Sequence, residues 1–375
     1  MSYEEKYMRR ALDLARRGEG WTSPNPMVGC VVVKNGQIVS EGWHERCGKN
    51  HAERNALLHC REEDAEGAEL YVTLEPCCHT GRTPPCTDII LQRKIGAVYV
   101  GSEDPNPKVA GGGLRILREA GVKVETGHLQ RECIRLNEVF FHYIKTGTPF
   151  IVSKYAMSLD GKIACAGGDS KWVTGKEARE AVHRLRNRYR AILVGIGTVL
   201  LDDPLLNCRM EGGRNPVRGI CDSNLRLPLK SRITESAWEI RTLDVCSETA
   251  AAARENREKR AGLEKAGVEI LPCGTEPKID LRRLFAELGK LGIDSVLVEG
   301  GGTLNGSLFE AGLVQKVYAF LGGKIIGGRE AKSPVEGRGA ALMKDAVLLR
   351  ELQIRRFGDD FCICGYPQPG PEEGK

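Results

Sequence analysis

Apolar positions along this chain switch between a helical period and a strand period, and the switches predict its elements. Tyr7, Ala11, Leu14 and Ala15 fall at helical spacing behind Ser2 and Glu5, a capping-box pair. A first helix is therefore expected to run to about Arg17, where Gly18 and Gly20 end it. The run Val28-Gly29-Cys30-Val31-Val32-Val33, the Asn35-Gly36 turn signal and segment 37–43 predict a β-hairpin. Asn50 is placed to cap a helix that begins with His51 and carries Ala56, Leu57 and Leu58. Strands follow over 70–74, 97–101 and 122–125, Pro76 opens a helical turn at Cys77, and one long helix covers 129–145. Strands and helices in alternation make an α/β/α layer.

Gly147 and Pro149 mark a boundary, after which the pattern restarts with Phe150-Ile151-Val152-Ser153-Lys154. Ser158-Leu159-Asp160-Gly161 is a turn, and a helix over 176–189 carries Ala178, Val182 and Leu185 on one stripe. Apolar runs at 191–195, 217–221 and 295–298 predict buried strands, the last leading through Gly300-Gly301-Gly302 into a helix from Thr303. Strands over 316–321, 348–357 and 361–364 close a mixed sheet. From Pro367 onward the chain is mostly Pro, Gly and Glu and is expected to be disordered. The expected domains are 1–147 and 148–366, with 367–375 as a tail.

Composition narrows the class. At 375 residues the chain is long for one core, and 41% hydrophobic with 28% charged residues is ordinary for a soluble globular protein. No run of 18 apolar residues suggests a membrane span, and the acidic start Met1-Ser2-Tyr3-Glu4-Glu5 does not resemble a secretory signal. The 14 cysteines read as reduced thiols and metal ligands, so a cytoplasmic location is expected. A net charge of +5 gives nucleic-acid binding little support, and the basic stretch 254–265 is interleaved with Glu255, Glu258 and Glu264 as on a solvated helix.

Candidate chemistry is concentrated between His51 and Cys86. A catalytic zinc takes three protein ligands and keeps one position open. His51, Cys77 and Cys86 supply one nitrogen and two sulfurs, while Glu53, two residues beyond the histidine, is free to move protons. The short Pro-Cys-x-x-Cys form fails because the residue three after Cys77 is Thr80. Cys86 arrives after the insert 78–85, and Cys78 and His79 remain rival ligands, although adjacent residues rarely reach one metal together. A histidine followed by glutamate at a helix start, then Pro-Cys after a strand, is hard to reconcile with simple buried thiols, which are the ordinary use of cysteine. A zinc that merely holds the fold would leave Glu53 unexplained, because a closed site needs a fourth ligand.

In the second half, Gly300-Gly301-Gly302-Thr303 follows a strand and opens a helix, an arrangement that suits phosphate. Gly195-Ile196-Gly197-Thr198-Val199-Leu200 does so too but lacks the last glycine of a Rossmann fingerprint. Each alone is a tight turn; two in one α/β domain favour a dinucleotide. Asp202-Asp203-Pro204 has turn character, and Arg186 and Arg209 are candidate phosphate clamps. Arg186 shares its helix with Arg179, Arg184 and Arg188, so solvated charge is its plainer reading.

The motifs Pro24-Asn25-Pro26-Met27-Val28-Gly29, His51-Ala52-Glu53 and Thr73-Leu74-Glu75-Pro76-Cys77, with Cys86, resemble one family, the bifunctional riboflavin-biosynthesis deaminase/reductases. Ser158-Leu159-Asp160-Gly161, Leu201-Asp202-Asp203-Pro204 and Val298-Glu299-Gly300-Gly301 extend the resemblance over about residues 1–365. It implies a cytidine-deaminase-like α/β/α domain followed by a dihydrofolate-reductase-like α/β domain. The implied cofactors are Zn2+ and NADPH, and the substrates are small phosphoribosyl-pyrimidines: deamination of 2,5-diamino-6-(5-phosphoribosylamino)pyrimidin-4(3H)-one, then reduction of the ribosyl group. Neither nucleic acid nor membrane is an implied partner, and a homo-oligomer is expected. A tRNA-editing deaminase shares His-x-Glu and Pro-Cys but accounts for neither the missing Cys-x-x-Cys nor the second domain.

By the same resemblance His51, Cys77 and Cys86 hold zinc and Glu53 moves the proton. NADP contacts fall on Ala156, Trp172, Thr198, Asp202 and Ser223, and on Gly301, Gly302, Thr303, Leu304, Asn305, Gly306 and Ser307. Substrate contacts of the reductase fall on Ser170, Arg186, Leu206, Arg209 and Glu299, and Asp202 is a candidate catalytic carboxylate.

Overall fold

A computed structural model of the chain describes residues 2–81, 83–107, 109–275 and 278–368. Backbone contacts divide it into two units, Met1–Gly147 and Thr148–Lys375.

The first unit runs α1 (Glu5–Arg16), β1 (Gly29–Lys34), β2 (Gln37–Trp43), α2 (Ala52–Leu58), α3 (Glu62–Ala65), β3 (Glu69–Leu74), α4 (Cys86–Gln92), β4 (Ala97–Ser102), α5 (Gly112–Glu119), β5 (Lys123–Thr126), α6 (Gln130–Leu136) and α7 (Glu138–Thr146). Its sheet has the order β2-β1-β3-β4-β5, antiparallel at the β2-β1-β3 side and parallel from β3 to β5. Successive side chains point to opposite faces of a strand. Val32, Leu70, Val72, Val98 and Val100 therefore pack with Leu57, Ile90 and Leu114 of α2, α4 and α5. Val31, Val33, Tyr71 and Tyr99 pack on the opposite face with Met8, Leu12 and Cys133 of α1 and α6. Both faces are covered, which makes the α/β/α sandwich. Gly42 lets α2 lie directly on β2, since a Cβ there would sit 2.5 Å from the Ala52 carbonyl oxygen.

Several local expectations change. The N-cap of α1 is Glu4 with no side-chain cap bond, so Ser2 does not form the expected capping box. His51 itself, in extended conformation, is the N-cap of α2, and Asn50 instead offers its carbonyl to His44. Cys77 lies in a loop, and the helix starts nine residues later at Cys86. The single helix expected over 129–145 is two, α6 and α7, broken at Asn137. That side chain is buried and saturates the Met27 backbone, accepting from its N–H at 2.8 Å and donating to its carbonyl at 2.9 Å.

The second unit contains β6 (Phe150–Ser158), α8 (Lys176–Arg188), β7 (Ala191–Gly195), α9 (Ile196–Asp202), β8 (Val217–Cys221), α10 (Arg232–Glu235), β9 (Thr242–Cys246), α11 (Glu248–Ala252), α12 (Arg257–Lys265), β10 (Val268–Pro272), α13 (Leu281–Lys290), β11 (Ser295–Val298), α14 (Gly302–Glu310), β12 (Lys316–Gly322), β13 (Leu349–Phe357) and β14 (Asp360–Pro367). The nine-stranded sheet has the order β10-β9-β8-β7-β11-β6-β12-β14-β13 and is parallel from β10 to β12. At one edge β14 pairs antiparallel with both β12 and β13. Strands β9 and β10 were not anticipated. Stretch 254–265 is helical in its larger part, as α12, and buries Leu263. Pro367 belongs to β14 and the Gln368 N–H bonds the Leu348 carbonyl, so the ordered chain extends past the expected start of the tail. Residues 369–375 lie outside the described residues.

Candidate active sites

In the first unit, β3 and two helix starts bring the chemistry together. His51 caps α2, Cys86 is the first residue of α4, and Cys77 sits in the loop after β3. The insert folds back because the Cys86 and Thr87 N–H groups both bond the Cys77 carbonyl, at 3.0 and 3.2 Å. His51 Nδ1 stands 3.4 Å from Cys77 Sγ and 3.5 Å from Cys86 Sγ, and all three donor atoms lie within 4.8 Å of one another. A tetrahedral zinc with Zn–S of about 2.3 Å and Zn–N of about 2.1 Å places neighbouring donors roughly 3.5–3.8 Å apart. The donor set and its spacing therefore fit that ion. Cys78 and His79 fall outside this cluster among the described residues.

The thiols show how the site is poised. The Cys86 thiol bonding to Cys77, together with His51, brings Cys77 below the usual thiol range against its burial. Cys86 is held well above the usual thiol range by the neighbouring Cys77 and by burial. Glu53 is buried on the first turn of α2 beside Cys86, and desolvation with the Cys77 charge lifts its carboxyl to about 7. A carboxyl near neutrality is suited to general acid–base work.

These residues open onto a cavity of about 340 Å³ that Asn25, His44, Asp104 and Asn106 also line. His44 donates from Nδ1 to the Asn50 carbonyl at 2.9 Å, which leaves Nε2 to accept from the Asn25 amide at 3.3 Å. Burial keeps its ring neutral. Asp104 is raised to about 6, chiefly by burial. The sequence reading gave none of these four a role. The polar Asn25 between two prolines was the available signal.

In the second unit the loops after the parallel strands share one edge of the sheet, the usual ligand edge of such sheets. Glu299, at the end of β11, pairs with Arg186 of α8 through Nε–Oε1 at 2.7 Å and Nη2–Oε2 at 3.1 Å. Lys154 Nζ of β6 lies 3.4 Å from the same carboxylate. Arg186 Nη1 also donates to the Asn207 carbonyl. The guanidinium fork is thus engaged by protein and is not an open phosphate clamp. Leu206 beside it is buried with φ of 51°, whereas Arg209 is exposed and donates its backbone N–H to His183 Nδ1. Burial, with Arg186 and Arg209, drives His183 down to about 4. Lys154 was missed by sequence; nothing in an apolar strand start marks one lysine as special.

The expected cofactor residues separate into two kinds. Ala156, Thr198 and Ser223 are partly accessible near the ends of β6, β7 and β8, and Trp172 is exposed with Arg179 stacked over it. Asp202, the last residue of α9, pairs with Lys171 at 3.6 Å, next to Ser170 and Trp172. In the glycine loop, a Cβ at Gly301 would meet open space. One at Gly302 would strike the Ser333 carbonyl at 2.5 Å, and one at Gly306 the Glu336 carbonyl at 1.8 Å. Asn305 is buried, donating to Pro334 and accepting from Ser153, while Thr303 bonds Glu336, Ser307 bonds the Thr303 carbonyl and Leu304 packs against the core. Much of this loop is therefore glycine- and amide-rich because segment 333–336 packs on it, and Gly301 is its open position.

The fold and the first site define a zinc-binding hydrolytic deaminase joined in one chain to a reductase of dihydrofolate-reductase-like fold. Residues 1–102 match the family described as the cytidine and deoxycytidylate deaminase zinc-binding region, and residues 149–363 match the RibD C-terminal domain. The chain is 49% identical over 358 residues to the riboflavin biosynthesis protein RibD of Actinobacillus pleuropneumoniae, covering 95% of this chain and 93% of that one. To RibD of Bacillus amyloliquefaciens it is 41% identical, with 98% of each covered. Among solved structures, form 1 of Acinetobacter baumannii RibD superposes with a TM-score of 0.87 at 35% identity, covering 97% of this chain and 99% of that one. The Thermotoga maritima diaminohydroxyphosphoribosylaminopyrimidine deaminase/5-amino-6-(5-phosphoribosylamino)uracil reductase does so at 0.83 and 37%, covering 97% and 98%. The chain belongs to the RibD family of bifunctional riboflavin-biosynthesis deaminase/reductases. Its cofactors are zinc and NADPH. Among the described residues no helix is long and apolar enough to cross a membrane.

Proposed function

We propose that the first unit deaminates 2,5-diamino-6-(5-phosphoribosylamino)pyrimidin-4(3H)-one and that the second reduces 5-amino-6-(5-phosphoribosylamino)uracil to its ribitylamino product. The observation that carries the first step is the trio His51, Cys77 and Cys86 with buried Glu53 beside it. These three residues would hold the zinc, which when bound supplies a Lewis acid that makes water a nucleophile at neutral pH. Glu53 takes the proton of the attacking water and delivers it to the departing amino group, so that water and the amidine carbon yield a carbonyl and ammonia. The Asn25 amide, held in place by His44, offers directional hydrogen bonds to a planar heterocycle, and Asp104 and Asn106 form the facing wall.

In the second unit the nicotinamide supplies hydride. Ala156, Trp172, Thr198, Asp202, Ser223 and the loop from Gly301 to Ser307 are the proposed cofactor side. Ser170, Arg186, Leu206, Arg209 and Glu299 are the proposed substrate side. Lys154, 3.4 Å from the Glu299 carboxylate, joins the proposed substrate side. Residues 1–147 and 148–366 are the proposed functional domains, and the enzyme is cytoplasmic. A homo-oligomer is supported by the edge strand β13, on which Leu352 and Ile354 are 57% and 69% exposed.

The test is Glu53→Gln, which keeps shape and removes the proton shuttle. Deamination is expected to fall by roughly 10²–10⁴-fold, with reduction of pre-deaminated substrate retained. Equal loss of both activities defeats the two-site assignment.

A further inference from the structure

Two residues before Cys77, Glu75 is buried to 3% exposure and, among the described residues, pairs with no cationic side chain. Its carboxylate is instead ringed by backbone. Oε2 accepts from the N–H groups of Asp104 at 3.2 Å and Gly111 at 3.1 Å. Oε1 accepts from those of Gly113 at 3.1 Å and Leu114 at 3.3 Å. Helix α5 has Gly111 as N-cap, with φ of 76° and no capping side chain of its own. The first N–H groups of a helix need partners, and a carboxylate there also faces the positive end of its dipole. Glu75 thus caps a helix 36 to 39 residues away in sequence. The fit leaves no slack: a Cβ on Gly113 would lie 2.0 Å from the Pro76 carbonyl oxygen.

The two things joined are functionally different. Glu75 and Pro76 lead into the turn that presents Cys77. The stretch 104–109 contributes Asp104, Asn106 and Val109 to the wall of the cavity. Asp104 is fixed at its own backbone N–H by Glu75, and its Oδ1 in turn accepts from Asn106 at 2.8 Å. We propose that Glu75 is a positioning residue of the deaminase, fixing the distance between the metal-ligand turn and the wall that recognises the pyrimidine substrate. The proposal rests on the deaminase reading of this cavity.

Glu75→Gln tests it. The amide keeps the volume but leaves one oxygen for four donors and turns an NH₂ toward the rest. Losing charge-assisted bonds at a buried site should loosen the wall and raise the deaminase KM about ten- to a hundred-fold, with a smaller change in kcat. Zinc content and reductase activity should stay at wild-type level, and hydrogen exchange should quicken at the amides of 104, 111, 113 and 114. A wild-type KM, or a kcat that falls only in step with lost zinc, overturns the proposal. If the variant is insoluble, Glu75→Asp keeps charge and shortens reach, and its folded form should show the same KM change in smaller degree. A wild-type KM there, or insolubility of both variants, also overturns it. Wild-type enzyme assayed on the same pyrimidine separates this from a wrong substrate assignment, which would show as absent turnover in every form.

Discussion

Arg186 and Glu299 meet fork to fork across the second site, both nearly shielded from solvent, with Lys154 on the same carboxylate. Burial alone would raise the Glu299 carboxyl, yet Arg186 and Lys154 bring it down to about 2. An acid whose folded value lies below its unfolded one adds stability above the unfolded value, and that stability is lost as pH falls toward the folded one. Acid unfolding of the second unit should therefore steepen below about pH 4. Glu299→Ala leaves two buried cations without their shared carboxylate, a loss of roughly 3–5 kcal/mol. Urea unfolding should show this with reductase activity lost and deaminase activity kept; a change under 1 kcal/mol would mean that the pair is solvated.

The metal site makes a separable prediction. Cys86→Ser should lower zinc from about one per chain to near none, because a hydroxyl is a poor substitute for a thiolate in a three-ligand site. Metal analysis of the purified variant decides it. Zinc retained in full would transfer the ligand role to Cys78 or His79.

Asp244 on β9 is fully buried, and among the described residues neither carboxyl oxygen finds a hydrogen-bond partner. Burial, then Asp222, raises it to about 8 from an ordinary 3.8. The sign is opposite to that of Glu299. The folded state holds a proton that the unfolded chain gives up, so stability falls as pH rises from about 4 to 8. Asp244→Asn removes that penalty and should stabilise the second unit at pH 7.5, with a flatter pH dependence. Equal or lower stability of the variant at that pH would show that Asp244 is ionised and paired.

The zinc trio was legible because metal ligands are fixed by residue type and short spacing, which sequence displays directly. The layer order followed from runs such as Val31 to Val33 and Ile192 to Val194, buried on both faces of their sheets. What escaped depended on distant partners. Asn137 breaks a helix because Met27 lies beside it, and Glu75 caps a helix whose N-cap is 36 residues on. Strand β9 escaped because Asp244 interrupts its apolar run. Gly302 suggested phosphate by its place before a helix, and Gly306 a cofactor contact by resemblance, whereas a Cβ at either would strike segment 333–336.

Asp202 and Asp203 are neighbours with different tasks. Asp203 is the C-cap of α9, with φ of 39°, and its Oδ1 accepts from the first N–H of α10 at 2.9 Å. Among the described residues Asp202 makes no such bond; it pairs with Lys171 at 3.6 Å, and its side chain is 36% exposed. An ion pair that open contributes about 1 kcal/mol or less, so removing the charge costs little stability. A capping role, with its roughly 0.5–2 kcal/mol, belongs to Asp203 instead. Asp202 is left available to act on the cofactor amide or on the proton that hydride addition requires. Asp202→Asn should therefore fold normally, keep zinc and deaminase activity, and lose reductase turnover by roughly 10²-fold, the size expected when a preorganised charge is removed from a reacting centre. Asp203→Ala should do the reverse, lowering stability modestly with reductase turnover nearly intact. Reductase kcat near wild type for Asp202→Asn at saturating NADPH would leave Asp202 as a surface partner of Lys171 and remove it from the catalytic machinery.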